Sequence, residues 1–234
     1  MRSFLRRWWR RLDEPLRDSP IGAALAAPRW RAAVGCLLAA GLVGFDLWGP
    51  FGWLEWRLRL LPFLVALPVY ALLARGDRPS LALRLRPVQG WGWWLKAGLL
   101  LGGGVLLVVG VVGLVVLAAG LPVRWPPRLT APEYWDWLWR SCLVAPVVEE
   151  SLYRFVLLTP LLPLVGRWPA LGVNAVVFAA LHVLYGVAAP DNFAGGVVFG
   201  YAYLASGTLV VPMLLHAAGN LFVIGSNLVW NFVL

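Results

Sequence analysis

The chain has 234 residues, of which 61% are hydrophobic and only 13% are charged, and its mean hydropathy is +0.76. A soluble domain is nearer half apolar and a quarter charged, so this composition excludes an ordinary soluble protein and predicts an integral membrane protein. The formal net charge is +9, but the basic side chains lie outside the apolar runs, where they suit lipid headgroups better than nucleic acid.

A basic segment opens the sequence. Residues 1–31 contain eight arginines against three acidic residues, with tryptophans among them. This composition predicts an amphipathic helix lying on the anionic surface of a membrane. Because prolines and arginines interrupt its apolar part, we do not expect it to be a signal peptide.

Apolar runs separated by polar loops make up the rest of the chain and predict an all-α membrane helix bundle with about seven transmembrane helices. Asp46 lies near the end of the first run, where we expect it to be solvated at the membrane interface. The fourth run is too long for a straight crossing of a bilayer. The predicted spans are residues 32–51, 58–74, 97–119, 137–165, 168–185, 193–206 and 208–228.

Lysine and arginine are distributed unevenly between the predicted loops. With the N-terminus in the cytoplasm, fourteen of them fall on the cytoplasmic side and five on the opposite side. Cytoplasmic loops carry an excess of basic residues in membrane proteins. The sequence therefore predicts a cytoplasmic N-terminus.

The fourth run carries ionisable residues in its middle, namely Glu149, Glu150 and Arg154. A charge at the centre of a membrane helix costs about 2.5–3.5 kcal/mol on insertion scales, so such residues indicate a function. In the structural alternative, Glu150 and Arg154, which are four residues apart, form a pair that only stabilises packing. That alternative leaves Glu149 unexplained.

Both histidines of the chain also fall in apolar runs. His182 ends the sequence FAALH, and His216 begins the sequence HAAGN, which ends at Asn220. Residues four apart project from the same face of a helix, so His216 and Asn220 point the same way. A lone histidine is more often a hydrogen-bonded core residue, but two of them with a carboxylate pair indicate a shared site.

Two carboxylates, two imidazoles and an amide suit the hydrolysis of an amide bond. A desolvated carboxylate can act as general base for water, a histidine can protonate the leaving amine, and the remaining donors can stabilise the oxyanion. A zinc ion held by Glu149, His182 and His216, with water as fourth ligand, is an alternative for the same residues. No HExxH motif occurs, and the residues leave this choice open.

The sequences EESLYR at 149–154, FAALH at 178–182 and HAAGN at 216–220 resemble the EExxxR, FxxxH and HxxxN motifs of one family. This is the CAAX-protease and bacteriocin-processing family of intramembrane endopeptidases. The resemblance covers about residues 140–222. Each motif alone is weak, but three of them in the right order are specific.

The resemblance implies a role for each matching residue. Glu149 would activate water together with His182, while His216 and Asn220 would form the oxyanion site. The second glutamate and the arginine would orient the first glutamate. Residue roles of this kind need no metal, so a glutamate mechanism without a cofactor is favoured over zinc. The implied catalytic residues are Glu149, Glu150, Arg154, His182, His216 and Asn220.

Members of this family cut prenylated CAAX tails, bacteriocin precursors, immunity-related targets or C-terminal sorting tails. The resemblance therefore implies a membrane-associated protein or peptide substrate, and for this membrane protein we expect a bacterial inner membrane and no nucleic-acid partner. It indicates no particular substrate or oligomeric state. On this basis the chain divides into a basic segment at 1–31, N-terminal membrane helices at 32–136 and a catalytic core at 137–234.

Two other classes of protein are compatible with charged groups inside a membrane. A small proton-coupled transporter also uses intramembrane Glu, Arg and His, although this chain is short and shows no internal repeat. A catalytically silent scaffold or immunity protein could retain the motifs for packing alone. Loss of cleavage in Glu149→Gln distinguishes a protease from a transporter. In a scaffold, alanine at His182 or His216 would lower stability but leave the cellular phenotype intact.

Overall fold

The computed structural model describes residue 10 and residues 12–48, 58–120, 130–186 and 190–233. These residues form helices and connecting turns and contain no β-strand; a single isolated bridge joins Leu83 to Thr208. The prediction of an all-α fold is confirmed for this part of the chain.

The predicted spans correspond to helices whose ends differ by a few residues. The fourth begins earlier than expected because Thr130 and Glu133 form a capping box: an oxygen of the glutamate accepts a hydrogen bond from the threonine backbone N–H at 2.7 Å. The helices are α1 (Trp30–Trp48), α2 (Leu61–Leu73), α3 (Trp91–Ala118), α4 (residues 131–165), α5 (Arg167–Leu184), α6 (Pro190–Ser206) and α7 (Val210–Val233).

Three helices in the described ranges are long and apolar enough to cross a membrane, namely α1, α3 and α5. Shorter apolar helices lie at Leu58–Leu73 and Val210–Ser226. The prediction of an integral membrane protein is therefore confirmed, while the number of seven crossings stays a prediction. Residues 49–51, at the end of the first predicted span, and the loop before residue 58 lie outside the described residues.

Helix α4 is the centre of the fold, and the side chains of its segment Ser151–Leu158 are buried apart from Leu157, which is half-buried. The ring of Phe155 contacts the rings of Phe63 and Tyr70 from α2, with centroids 5.0 and 5.4 Å apart. The Tyr70 hydroxyl donates a hydrogen bond to the Val156 carbonyl oxygen at 2.7 Å. A Cβ atom on Gly35 of α1 would lie only 2.7 Å from a side-chain atom of α4, so α1 and α4 approach closely.

The described part of the N-terminal segment packs against the protein. Residues 12–17 are helical, and the side chains of Leu16 and Leu25 are fully buried. The indole N–H of Trp168 at the start of α5 donates a hydrogen bond to Asp13 at 3.0 Å. The predicted membrane-surface helix is therefore also part of the protein core; residues 1–9 and 11 lie outside the described residues.

Asp46 is buried, with a side chain only 2% exposed, so the expectation of a solvated carboxylate is wrong. Its carboxylate accepts hydrogen bonds from Nε and Nη2 of Arg59 at 3.0 and 2.9 Å. The Tyr185 hydroxyl at the end of α5 also donates to it, at 2.9 Å. A buried carboxylate is tolerated when a cation and hydrogen bonds compensate its lost hydration, and these two residues do so here.

Candidate active site

The two adjacent glutamates of α4 lie where the helix changes its hydrogen-bonding pattern. Two π-helical segments, Arg140–Val144 and Ser151–Leu158, interrupt the α-helical turns. The second ends two residues before Pro160, which has no N–H to donate to the preceding turn. The Val156 carbonyl oxygen, four residues before that proline, accepts a hydrogen bond from the Tyr70 hydroxyl of α2 instead, at 2.7 Å. Such π-helical turns are rare and are frequent at functional sites.

Glu149 faces α5 and α7 and lies between the two histidines. Its Oε2 atom is 3.5 Å from Nε2 of His182 and 4.0 Å from Nε2 of His216. The three side chains are 8–15% exposed, so the space between them is enclosed. The same Oε2 atom is buried and has no hydrogen-bond partner among the described residues. An unpartnered carboxylate oxygen facing two imidazoles provides a place for a polar molecule such as water.

His182 is held by the turn of α5 that precedes it. Its Nδ1 atom lies 2.8 Å from the carbonyl oxygen of Phe178, so Nδ1 is placed to donate a hydrogen bond to that oxygen. The rings of these two residues are in contact, with centroids 4.4 Å apart. In this tautomer Nε2 is unprotonated and faces Glu149. It can therefore accept a proton or a hydrogen bond from water between them.

Glu150 faces a different set of partners from its neighbour. Its side chain is fully buried, with Oε2 2.8 Å from Nε of Arg154 and Oε1 2.9 Å from Nδ1 of His216. The ring of Phe199 stacks on His216 with centroids 4.8 Å apart. Together these contacts fix the imidazole so that its other nitrogen faces Glu149.

Asn174 on α5 is a member of the site that sequence reasoning missed. It is fully buried; its Oδ1 accepts a hydrogen bond from Nη1 of Arg154 and its Nδ2 donates to the Tyr153 carbonyl oxygen, both at 2.6 Å. The residue thus links the arginine of α4 to the helix that carries His182. The sequence does contain an indication of this role, because Asn174 is an amide in an apolar run. It lies eight residues before His182, which is about two helical turns.

Asn220 lies one turn after His216 on α7, as its spacing predicts. Its Nδ2 donates a hydrogen bond to the carbonyl oxygen of Ser141 in the first π-helical segment, at 2.6 Å. This bond uses one of the two N–H groups of the amide. The asparagine is therefore anchored to α4, and its second N–H is the group that an oxyanion would require.

Within the described ranges, no three His, Cys, Asp or Glu side chains are grouped so as to hold a metal ion. The predicted zinc ligands Glu149, His182 and His216 do lie together. Oε2 of Glu149 is 3.5 Å from Nε2 of His182 and 4.0 Å from Nε2 of His216. Both Glu150 and Arg154 are engaged with each other, and the glutamate also contacts the histidine of α7. The metal-free mechanism and the zinc alternative both stay predictions.

Comparison with known proteins identifies the segment that carries this site. Residues 131–222 match the family model described as Type II CAAX prenyl endopeptidase Rce1-like. No curated protein and no solved structure matches the chain. The matched residues run from the start of α4 into α7 and include all six predicted catalytic positions. The resemblance seen in the three motifs is therefore confirmed: residues 131–222 of this chain are similar to the Rce1-like type II CAAX prenyl endopeptidases, a family of proteases.

Proposed function

We propose that this protein is an intramembrane endopeptidase in which Glu149 and His182 activate water to hydrolyse a peptide bond. The observation that supports it most is the buried Oε2 atom of Glu149, which has no hydrogen-bond partner among the described residues and lies 3.5 Å from Nε2 of His182. A water molecule there can donate one hydrogen to each of these atoms. Both acceptors increase the nucleophilicity of the water oxygen, and general-base catalysis of this kind contributes about 10²–10⁴-fold.

In the first step, Glu149 takes a proton from the water while the water oxygen attacks the carbonyl carbon of the substrate. The carbonyl oxygen becomes an oxyanion on a tetrahedral intermediate. In the second step, the C–N bond breaks and the proton passes to the leaving amine nitrogen, directly or through His182. The products are a carboxylic acid and an amine, and Glu149 returns to its carboxylate form.

His216 and Asn220 are the proposed donors to the oxyanion. Glu150 accepts a hydrogen bond from Nδ1 of His216 at 2.9 Å, and in the proposed mechanism the ring also carries a proton on Nε2. That Nε2–H is directed into the space beside Glu149. A single oxyanion donor in a water-poor site contributes about 10²–10³ in rate, so these two residues support the reaction without a metal ion.

The proposed substrate is a membrane-associated protein or peptide, because the acidic and imidazole groups belong to helices of a membrane protein. A prenylated CAAX tail, which the family name indicates, and a C-terminal sorting tail are the two candidates. The proposed location is a bacterial inner membrane with the N-terminus in the cytoplasm, which the excess of basic residues in the predicted cytoplasmic segments supports.

Protein fragments in cells test this proposal even before a substrate has been identified. Cells that express the wild type or Glu149→Gln at equal abundance are compared by proteomics of membrane-associated fragments. Glu133→Gln is a matched control, because Glu133 lies in the exposed capping box at the start of α4. We expect fragments that disappear with Glu149→Gln and persist with the control. Identical fragments in all three strains would contradict the proposal and favour a transporter or a silent scaffold.

A further inference from the structure

Tyr153 carries a polar group that the mechanism above does not use. The residue lies in the second π-helical segment, four residues after Glu149, and its side chain is fully buried. Its hydroxyl is buried and has no hydrogen-bond partner among the described residues. Leaving a buried hydroxyl unsatisfied costs about 1–3 kcal/mol. Native proteins normally satisfy such groups with another protein atom, a water molecule or a ligand.

The Tyr153 ring lies beside residues of the active site. The ring packs edge-on against Phe178 with centroids 4.9 Å apart, and Phe178 is in turn in contact with the ring of His182. Residues four apart lie on nearly the same face of a helix, so Tyr153 and Glu149 project to the same side of α4.

Two unpartnered polar atoms therefore occur on one face of α4: Oε2 of Glu149 and the hydroxyl of Tyr153. Their chemistry is complementary with respect to water. The carboxylate can only accept a hydrogen bond, whereas the hydroxyl can donate one. A water whose two hydrogens go to Glu149 and His182 still has two lone pairs, one for a donor and one for the attack on the substrate carbonyl.

We propose that Tyr153 is a further catalytic residue, whose hydroxyl donates a hydrogen bond to the water that Glu149 and His182 activate. This inference rests on the proposed function. The tyrosine orients the water so that its remaining lone pair faces the substrate carbonyl. The hydroxyl keeps its own proton throughout, so the proton balance of the two steps above is unchanged.

Two other buried tyrosines provide matched controls. Tyr70 and Tyr203 are also fully buried, but both hydroxyls have protein partners. The Tyr70 hydroxyl donates to the Val156 carbonyl oxygen at 2.7 Å, and that of Tyr203 lies 2.8 Å from the hydroxyl oxygen of Thr159. Replacing either by phenylalanine breaks a hydrogen bond within the protein, whereas replacing Tyr153 breaks none of those described.

The experiment compares Tyr153→Phe, Tyr70→Phe and Tyr203→Phe in the full-length protein. Pulse-chase labelling measures the rate at which the fragments that depend on Glu149 appear, at equal enzyme abundance. The thermal midpoint of each purified variant in the same detergent measures folding. We expect Tyr153→Phe to slow cleavage by about 10-fold, as for the loss of one hydrogen bond to the attacking water, with an unchanged or raised midpoint. We expect the controls to lower the midpoint and to cleave at close to the wild-type rate.

Each outcome bears on a separate claim. Wild-type cleavage by Tyr153→Phe, while Glu149→Gln is inactive, would overturn the role of the tyrosine and leave the proposed protease intact. A lowered midpoint for Tyr153→Phe equal to that of the controls would also overturn it, because the hydroxyl would then have a structural partner. Fragments that form at the wild-type rate with Glu149→Gln would refute the proposed function itself.

Discussion

Nδ1 of His216 lies 2.9 Å from Oε1 of Glu150, while Nε2 of the same ring lies 4.0 Å from Oε2 of Glu149. The imidazole thus contacts two neighbouring glutamates of one helix with its two different nitrogens. Glu150 is fully buried and also pairs with Arg154, so it holds the ring in place. Glu149 retains an oxygen on the enclosed side that has no partner among the described residues. The two acids therefore have different environments although they are adjacent in sequence.

Replacing Glu150 by Gln should strongly destabilise the protein. The substitution removes the negative charge between Arg154 and His216 and leaves a buried guanidinium without its counter-ion. Breaking one partner of a buried ion pair costs about 3–5 kcal/mol. The thermal midpoint in detergent measures this loss, and Glu133→Gln at the exposed start of α4 should leave the midpoint nearly unchanged. A midpoint for Glu150→Gln equal to that of this control would refute the proposed holding role.

The partly buried pair of Asp46 and Arg59 leads to a second prediction. Asp46→Asn should lower the free energy of unfolding by up to about 3 kcal/mol, because the Arg59 side chain, which is only 20% exposed, loses its counter-ion. Combining Asp46→Leu with Arg59→Met removes both charges and should recover much of that loss. Chemical or thermal unfolding of the single and double variants measures the difference.

An exposed pair of the same chemistry is the control for this experiment. Asp136 and Arg140 form an ion pair at 2.8 Å with side chains 58% and 64% exposed. Exposed pairs contribute about 0–1 kcal/mol, so Asp136→Asn should change stability little. Equal changes in the free energy of unfolding for Asp46→Asn and Asp136→Asn would contradict a stabilising role of the Asp46–Arg59 pair.

How much of this structure can be predicted from the sequence depends on the range of the interactions. The helices follow from continuous apolar runs, and the shared face of His216 and Asn220 follows from a spacing of four residues. Both features depend only on neighbours along the chain. The contact of Asp46 with Tyr185 joins residues 139 positions apart. No local pattern indicates such a contact, so the sequence favours an interfacial, solvated carboxylate instead.

The π-helical segments of α4 could not be predicted for a related reason. Apolar periodicity distinguishes a helix from a strand, but it does not distinguish α from π hydrogen bonding within one helix. Side chains of other helices bond carbonyl oxygens of this segment, namely the Tyr70 hydroxyl at Val156 and Nδ2 of Asn174 at Tyr153, and local periodicity does not indicate such distant contacts. Asn174 is a different case, because an amide in an apolar run is visible in the sequence and is a signal of the same kind as the histidines.

The close approach of α5 and α6 gives a third prediction. A Cβ atom on Gly196 would lie 2.8 Å from Cα of Ala175, a backbone atom that cannot move without displacing α5. Gly196→Ala should therefore separate the two helices and destabilise the protein by about 1–3 kcal/mol. Gly172→Ala on α5 is the control, since a Cβ atom there would have no described atom of another residue within 4 Å beyond its own helical turn, and it should be neutral or slightly stabilising. Thermal midpoints compare the two variants; equal midpoints would contradict the close packing.

Cleavage by purified protein before and after exhaustive chelation tests the central claim most directly. The wild type and Glu149→Gln are reconstituted in liposomes with a substrate identified from the fragments in cells. We predict that the wild type cleaves at an unchanged rate after chelation, and that Glu149→Gln loses at least about 10²-fold in rate, as expected on removing a general base. Activity that disappears with the chelator and returns with zinc, or wild-type cleavage by Glu149→Gln, would contradict a water activated by Glu149 and His182 alone.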